Sequence, residues 1–184
     1  MACGLLTKGR GLDCKDAIGG IKAVYFVQHE DATIATSAGE VTDIDLTTNL
    51  FKYTLPKGTG SFTETIQSSA ENGTVFYEPS VNIKLHKLTV GDRNEINLLA
   101  QNRLIVFVEM NLKHGNGKNN IWCLGIDNGL ELSAGTSSSG TAMGDLNGYD
   151  LTFTGAESAP AFLVESYTTT PFDNTGFTVT VDAD

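Results

Sequence analysis

Charge is scarce in this chain, and positive charge stops early. Charged residues make up only 18% of the 184 residues. All 12 Lys and Arg lie at or before Lys118. Asn119–Asp184 carries nine of the 22 acids and no Lys or Arg, leaving 13 acids against 12 bases before it. The net charge of −10 therefore resides almost entirely in the C-terminal third. A phosphate-gripping surface needs clustered Lys and Arg, so proteins that hold or read nucleic acid are excluded. Cysteine is scarce too. Cys3, Cys14 and Cys123 are too few and too odd in number for a secreted disulfide framework, and they read as reduced structural thiols. No apolar run approaches the ~20 residues of a membrane span. Met1–Gly11 lacks an apolar core of signal-peptide length, so cytoplasmic synthesis is expected.

What fills the gap is Thr, Ser, Asn and Gly, beside 40% hydrophobic residues. Helical surfaces are usually laced with Lys and Glu, so this balance points to a mainly β protein. The β-branched and aromatic content excludes disorder of the whole chain, and the length suits one domain. We read an N-terminal arm over residues 1–20, a β domain over 21–165 and an acidic C-terminal segment over 166–184. That last segment holds the final strand candidate, Phe177–Val181.

Alternation locates the strands. Ile21–Gln28 is apolar on both faces, as is Arg103–Met110, so both are expected to be buried on both sides. Val41–Leu46 alternates, with Ile44 and Leu46 opposite Asp43 and Asp45. Ser61–Ser69 is a Thr-rich strand, and Thr74–Leu88 is a long strand expected to bend or break at Pro79. One segment reads as a helix, Val90–Gln101. Thr89 caps it, Asp92 lies near its positive end, Ile96, Leu99 and Ala100 form its packing stripe, Leu98 widens that stripe, and Asn102 closes it. Ala32–Gly39 and Gly135–Gly144 read as loops that no local core orders.

No constellation of residues nominates an active site, and the chain is read as a non-enzyme without metal or cofactor. His29, His86 and His114 have no metal-ligand spacing. Gly144–Asp150 places oxygen ligands at alternating positions, but an Asx-Gly hairpin turn explains it better than a calcium loop. Asp43 and Asp45, about 7 Å apart on one strand face, have the makings of a hydrolase pair. A solvated strand face explains them more simply.

The remaining signal is a run of elements. Thr74–Leu88 is followed by the helix, by Arg103–Met110, by a hairpin ending in Trp122–Gly125, by Asn128–Leu132 and by the Ser/Thr/Gly run Ser133–Gly148. This order, over about Gly20–Glu165, resembles the tail tube proteins of tailed bacteriophages. The resemblance implies an antiparallel β-sandwich or half-barrel with one flanking α-helix. It implies homohexameric rings that stack into a hollow tube in the virion tail, assembled in the host cytoplasm. The partners implied are further copies, other tail or neck proteins, and double-stranded DNA that passes without specific binding; no membrane is involved. Six copies at −10 each carry −60 per ring, and a lumen of that sign lets phosphates slide. The candidate lumen residues are Asp43, Asp45, Thr63, Thr65 and Gln67, on strands with one polar face. The arm before Gly20 and the segment after Glu165 are not required by the resemblance, which leaves a ring or connector protein of a short tail as an alternative. A carbohydrate-binding β-sandwich is a further alternative, but the single Trp122 sits in an apolar hairpin.

Overall fold

The computed structural model describes residues 8–183; Cys3 and the first seven residues of the expected arm lie outside the described residues. The strands, in chain order, are β1 (Ile21–Gln28), β2 (Ala32–Ser37), β3 (Glu40–Leu46), β4 (Leu50–Thr54), β5 (Gly60–Ser69) and β6 (Thr74–His86), then, after helix α1 (Val90–Leu99), β7 (Leu104–Lys113), β8 (Asn119–Leu124), β9 (Glu131–Ser138), β10 (Gly148–Thr154), β11 (Phe162–Val164), β12 (Phe177–Thr178) and β13 (Val181–Asp182). The protein is mainly β, as composition implies. Its larger sheet is mixed, because β11 and β12 on β3 and β13 on β4 pair in parallel.

The larger sheet runs β12-β3-β11-β8-β7-β1-β4-β13, with β2 added beside β3. Its two end strands, β12 and β13, belong to one stretch, residues 177–182. That stretch pairs with β3 through Phe177↔Ile44 and with β4 through Val181↔Leu50. The sheet therefore curls until its ends are tied. The smaller sheet, β5-β6-β10-β9, is antiparallel throughout and lies across one face of the larger.

Alternation along β1 and β7 feeds two cores. Val24, Phe26, Val106 and Val108 meet Val81, Ile83, Leu151 and Phe153 of the smaller sheet, with Phe26 and Phe153 ring centroids 4.9 Å apart. The intervening residues Ala23, Tyr25, Val27, Ile105 and Phe107 point into the curl, where they meet Val41, Ile44, Leu50, Ile121, Tyr167 and Phe172. Both strands are thus buried on both sides, as their continuous apolar runs require. Each of the Val, Ile, Leu and Phe side chains contributes roughly 1.5–3 kcal/mol by burial.

Several expectations need correction. Ala32–Gly39 is no loop: Ala32–Ser37 is β2, pairing antiparallel with β3 through Ile34↔Ile44. Ala38 and Gly39, at φ 54° and 91°, make the tight turn between them. Small β-branched residues needed only a neighbouring strand to become ordered. Residues 135–138 of the other expected loop likewise belong to β9. On β3 the register shifts next to Thr42, so Val41 and Ile44 share the buried side although they are three residues apart. β6 does not break at Pro79. The Pro79 carbonyl accepts from Gly155 N, just past the last β6–β10 pair, Ser80↔Thr154. Pairing on that side resumes at the Tyr77↔Glu157 bridge, so Pro79 removes one donor between two paired positions while the ladder to β5 runs on through Glu64↔Pro79.

The helix begins as expected, with Thr89 Oγ1 accepting from Asp92 N at 3.1 Å. It ends at Leu99, and Asn102 Nδ2 donates to Leu98 O at 2.9 Å. Ile96 and Leu99 pack half-buried against the first core. Ala100 does not: it is the exposed C-cap, its N–H donating to Ile96 O. No residue of α1 is fully buried, so the helix rests shallowly on the sheet.

Gly148 opens β10 where it crosses closest to β6. A Cβ there would lie 1.9 Å from Leu85 O, a backbone atom that cannot yield locally. Gly148→Ala is expected to cost more than about 3 kcal/mol, measured by chemical denaturation. A loss below 1 kcal/mol would show that the β6–β10 approach relaxes.

Candidate assembly surface

The smaller sheet has two strands paired on one side only. Among the described residues, no strand pairs with the outer edge of β5 or of β9. Proteins usually guard such edges with Lys, Pro or bulges. Here the two strands contain neither Lys, Arg nor Pro. Their charges are Glu64, whose Oε1 accepts from Ala161 N at 2.9 Å, and Glu131, the first residue of β9. The β5 edge carries none of these guards; β9 carries a bulge, since Ser133 has no register partner between Leu132↔Phe153 and Ala134↔Thr152.

One face of this sheet covers the first core. The other carries Ser61, Thr63 and Thr65 on β5, Ser80, Asn82 and Lys84 on β6, and Asp150, Thr152 and Thr154 on β10. Its charges are largely spent internally. Lys84 Nζ lies 3.3 Å from Asp150 Oδ2, and Asn82 Nδ2 donates to Asp150 Oδ1 at 2.7 Å and to Thr152 Oγ1 at 3.0 Å. The result is a hydroxyl- and amide-rich surface. The β5–β6 hairpin also projects past β10, whose pairing stops at Ser80. On this overhang the core-side face continues without a core, leaving Ile66 65% and Val75 56% exposed.

The five candidate lumen residues do not form one surface. Thr63 and Thr65 are exposed on the polar face of β5, with Gln67 further along, its Nε2 donating to Glu78 Oε2 at 2.7 Å. Asp43 and Asp45 lie in the other sheet, on β3. Thr178 Oγ1 donates to Asp45 Oδ1 at 2.7 Å, and a Cβ on Gly176 would lie 3.3 Å from Asp43 Oδ1. Both carboxylates thus lie against the C-terminal stretch that ties the curl. In the Gly144–Asp150 loop, Asp145 accepts the N–H groups of Thr141 and Ala142 at 2.9 and 2.7 Å, which closes a turn. Among the described residues no three His, Cys, Asp or Glu side chains cluster as metal ligands, and no helix is long and apolar enough to cross a membrane. Trp122 is half-buried between Val108 and Leu163 and forms no exposed platform.

Two buried acids escaped the sequence reading. Glu109, on β7, is fully buried. It accepts from Lys22 Nζ at 2.7 Å, Tyr25 Oη at 2.8 Å and Asn119 Nδ2 at 2.8 Å. Burial alone would raise its pKa, but the three donors and the Lys22 charge outweigh it and hold the carboxyl below its ordinary range. Burial and the facing Glu109 charge push the Tyr25 hydroxyl upward instead. Glu157 accepts from Asp127 N at 2.8 Å and Asn128 N at 3.0 Å, which fixes the turn into β9. Its pKa is raised, chiefly by burial. A lone acid inside the apolar run Leu104–Val108–Met110, facing a lone Lys in the equally apolar β1, was the available signal for the first site.

Comparison of the chain with protein-family models, curated proteins and solved structures finds no match.

Because Glu109 has a folded-state pKa below its ordinary 4.5, the stability it contributes is present in full above that pH and fades as the pH falls below it. Glu109→Gln is expected to cost about 2–4 kcal/mol at neutral pH. The gap from wild type should narrow below pH 4 in denaturant titrations. A gap independent of pH would show that the carboxylate charge is not what the three donors stabilise.

Proposed function

We propose that this chain is the subunit of a homo-oligomeric ring, built as in the tail tube of a bacteriophage, through whose lumen double-stranded DNA passes. The observation that carries this reading is the smaller sheet with its two cation-free, unpaired edges. The sheet has four strands, all antiparallel, so β5 and β9 run in opposite directions. A copy rotated about an axis parallel to the strands brings its β9 beside β5 of the next copy, again antiparallel. Alternation is preserved at every joint, and the ring closes with no edge left over.

Six copies give a barrel of 24 strands. With strands roughly 4.8 Å apart and tilted about 40°, its backbone diameter is on the order of 50 Å. Porin barrels with fewer strands already enclose an aqueous channel. The polar face of the sheet then lines the lumen. Its strands hold one lysine, Lys84, which is paired, and no arginine. Hydroxyls and amides in place of cations give phosphate little to hold, so DNA slides. The sliding surface is mainly uncharged; the acids of the C-terminal stretch add negative charge elsewhere on the subunit. The larger sheet forms the outer part of the wall, and the sequence resemblance to tail tube proteins points the same way.

Negative-stain electron microscopy of the purified protein at high concentration is expected to reveal rings with a central hole. Stacked rings support a tube, and rings that never stack support the connector role. Lys at both edges (Thr63→Lys with Thr136→Lys) should leave a folded monomer, since exposed substitutions rarely shift stability beyond ~0.5 kcal/mol. Undiminished assembly of that variant would exclude joining through this sheet.

A further inference from the structure

A concavity lies away from the smaller sheet's edges, between β4 and the shallow helix α1. It measures about 470 Å³ and is lined by Phe51, Lys52, Tyr53, Leu85, Asp92, Glu95 and Asp182, three acids against one lysine. It continues past Phe51 and Glu95 into a second, more apolar groove of about 160 Å³ beside Leu98 and Leu99. Phe51 and Leu98 are 45% and 50% exposed. The negative rim is felt inside: burial, Glu95 and Asp92 push the Tyr53 hydroxyl up to about 12. Phe51, Leu98 and Leu99 give an apolar floor, the border is acidic on balance, and among the described residues nothing covers it.

The N-terminal arm has the opposite character. Residues 8–19 are exposed throughout, and 8–18 make no hydrogen bond to the domain among the described residues. Leu12 projects fully into solvent, preceded by Lys8 and Arg10 and followed by Asp13, Lys15 and Asp16; Arg10 Nη2 lies 4.0 Å from Asp13 Oδ2, an exposed pair that a stronger acidic partner can replace. The arm cannot reach its own groove along the course it takes. Gly20, at φ 93° and with its Cβ position 3.0 Å from Asn111 Nδ2, directs the chain so that Asp16 and Ile18 lie beside Asn111–Lys113 of β7. β7 and β4 flank β1 on opposite sides, so the arm leaves on the side away from the groove. Twelve extended residues span roughly 40 Å, enough to reach a neighbouring copy.

We propose that the arm of one copy docks in the β4–α1 groove of another, with Leu12 on the Phe51–Leu98 floor and Lys8 and Arg10 against the Asp92–Glu95 rim. This deepens the ring reading and rests on it only for the presence of a second copy. Opposite charges select the register, and the apolar floor supplies the burial.

The test uses the full chain with a photo-crosslinking amino acid at position 12, made as light and heavy isotopic forms and mixed before irradiation. Cross-linked peptides of mixed isotope, joining the arm to residues 50–54 or 90–102, are expected. Asp92→Lys with Glu95→Lys should lower their yield about tenfold, and Lys8→Glu with Arg10→Glu in the same chain should restore it. Cross-links within one chain, to any other surface, or absent altogether overturn the proposal. Micrographs of the same samples separate it from the ring reading. Rings without these cross-links sink arm docking alone, whereas mixed cross-links without rings support docking and sink the ring.

Discussion

Two strands of this protein have no solvent face. β1 and β7 pair with each other through Val24↔Val108, Tyr25↔Phe107 and Phe26↔Val106, and every one of these residues is buried. A strand apolar on both sides must be covered twice. The smaller sheet covers one side, and the larger sheet, by curling round, covers the other. The curl, the C-terminal stretch that ties it and the crossing of the two sheets all answer that single requirement. Glu109 and Lys22 are the one polar pair set between these strands, and they are tolerated because every Glu109 partner is in place.

Most of the strands were legible because alternation and continuous apolar runs report burial directly. The double burial of Ile21–Gln28 could be read before any coordinate was known, and so could the Thr89 cap. Other features were illegible for definite reasons. Ala32–Ser37 looked like a loop because its order comes from β3, a partner that composition does not reveal. Ala100 fell on the helical stripe, yet the helix ends before it. Asp43 and Asp45 shared a face as alternation implies, but alternation does not say which sheet a strand joins. They were therefore grouped with Thr63 and Thr65, which lie in another sheet. Glu109 was hidden within an apolar run, where an isolated acid reads as noise until its three donors are placed around it.

The distribution of charge acquires meaning only on the fold. A chain with so few cations has little charge with which to guard its edges, and the edge strands of the smaller sheet carry no cation. The same scarcity leaves the sheet's free face neutral and hydroxyl-rich. One compositional property thus shapes both the edges of this sheet and its free face.

The tie at the C-terminal stretch also dictates an order of events. Thr178 meets Ile44 across 134 residues of chain, and closing a loop of that length costs on the order of 4 kcal/mol in chain entropy. Hairpins such as β2–β3 and β5–β6 form from neighbours and face no such barrier. While a nascent chain is still growing, the curl stays open, with Ile44 and Leu50 uncovered, until residues 177–182 have left the ribosome. Maturation of the second core is in this sense a clock set by sequence separation: the curl is closed only once residues 177–182 are free to reach β3 and β4.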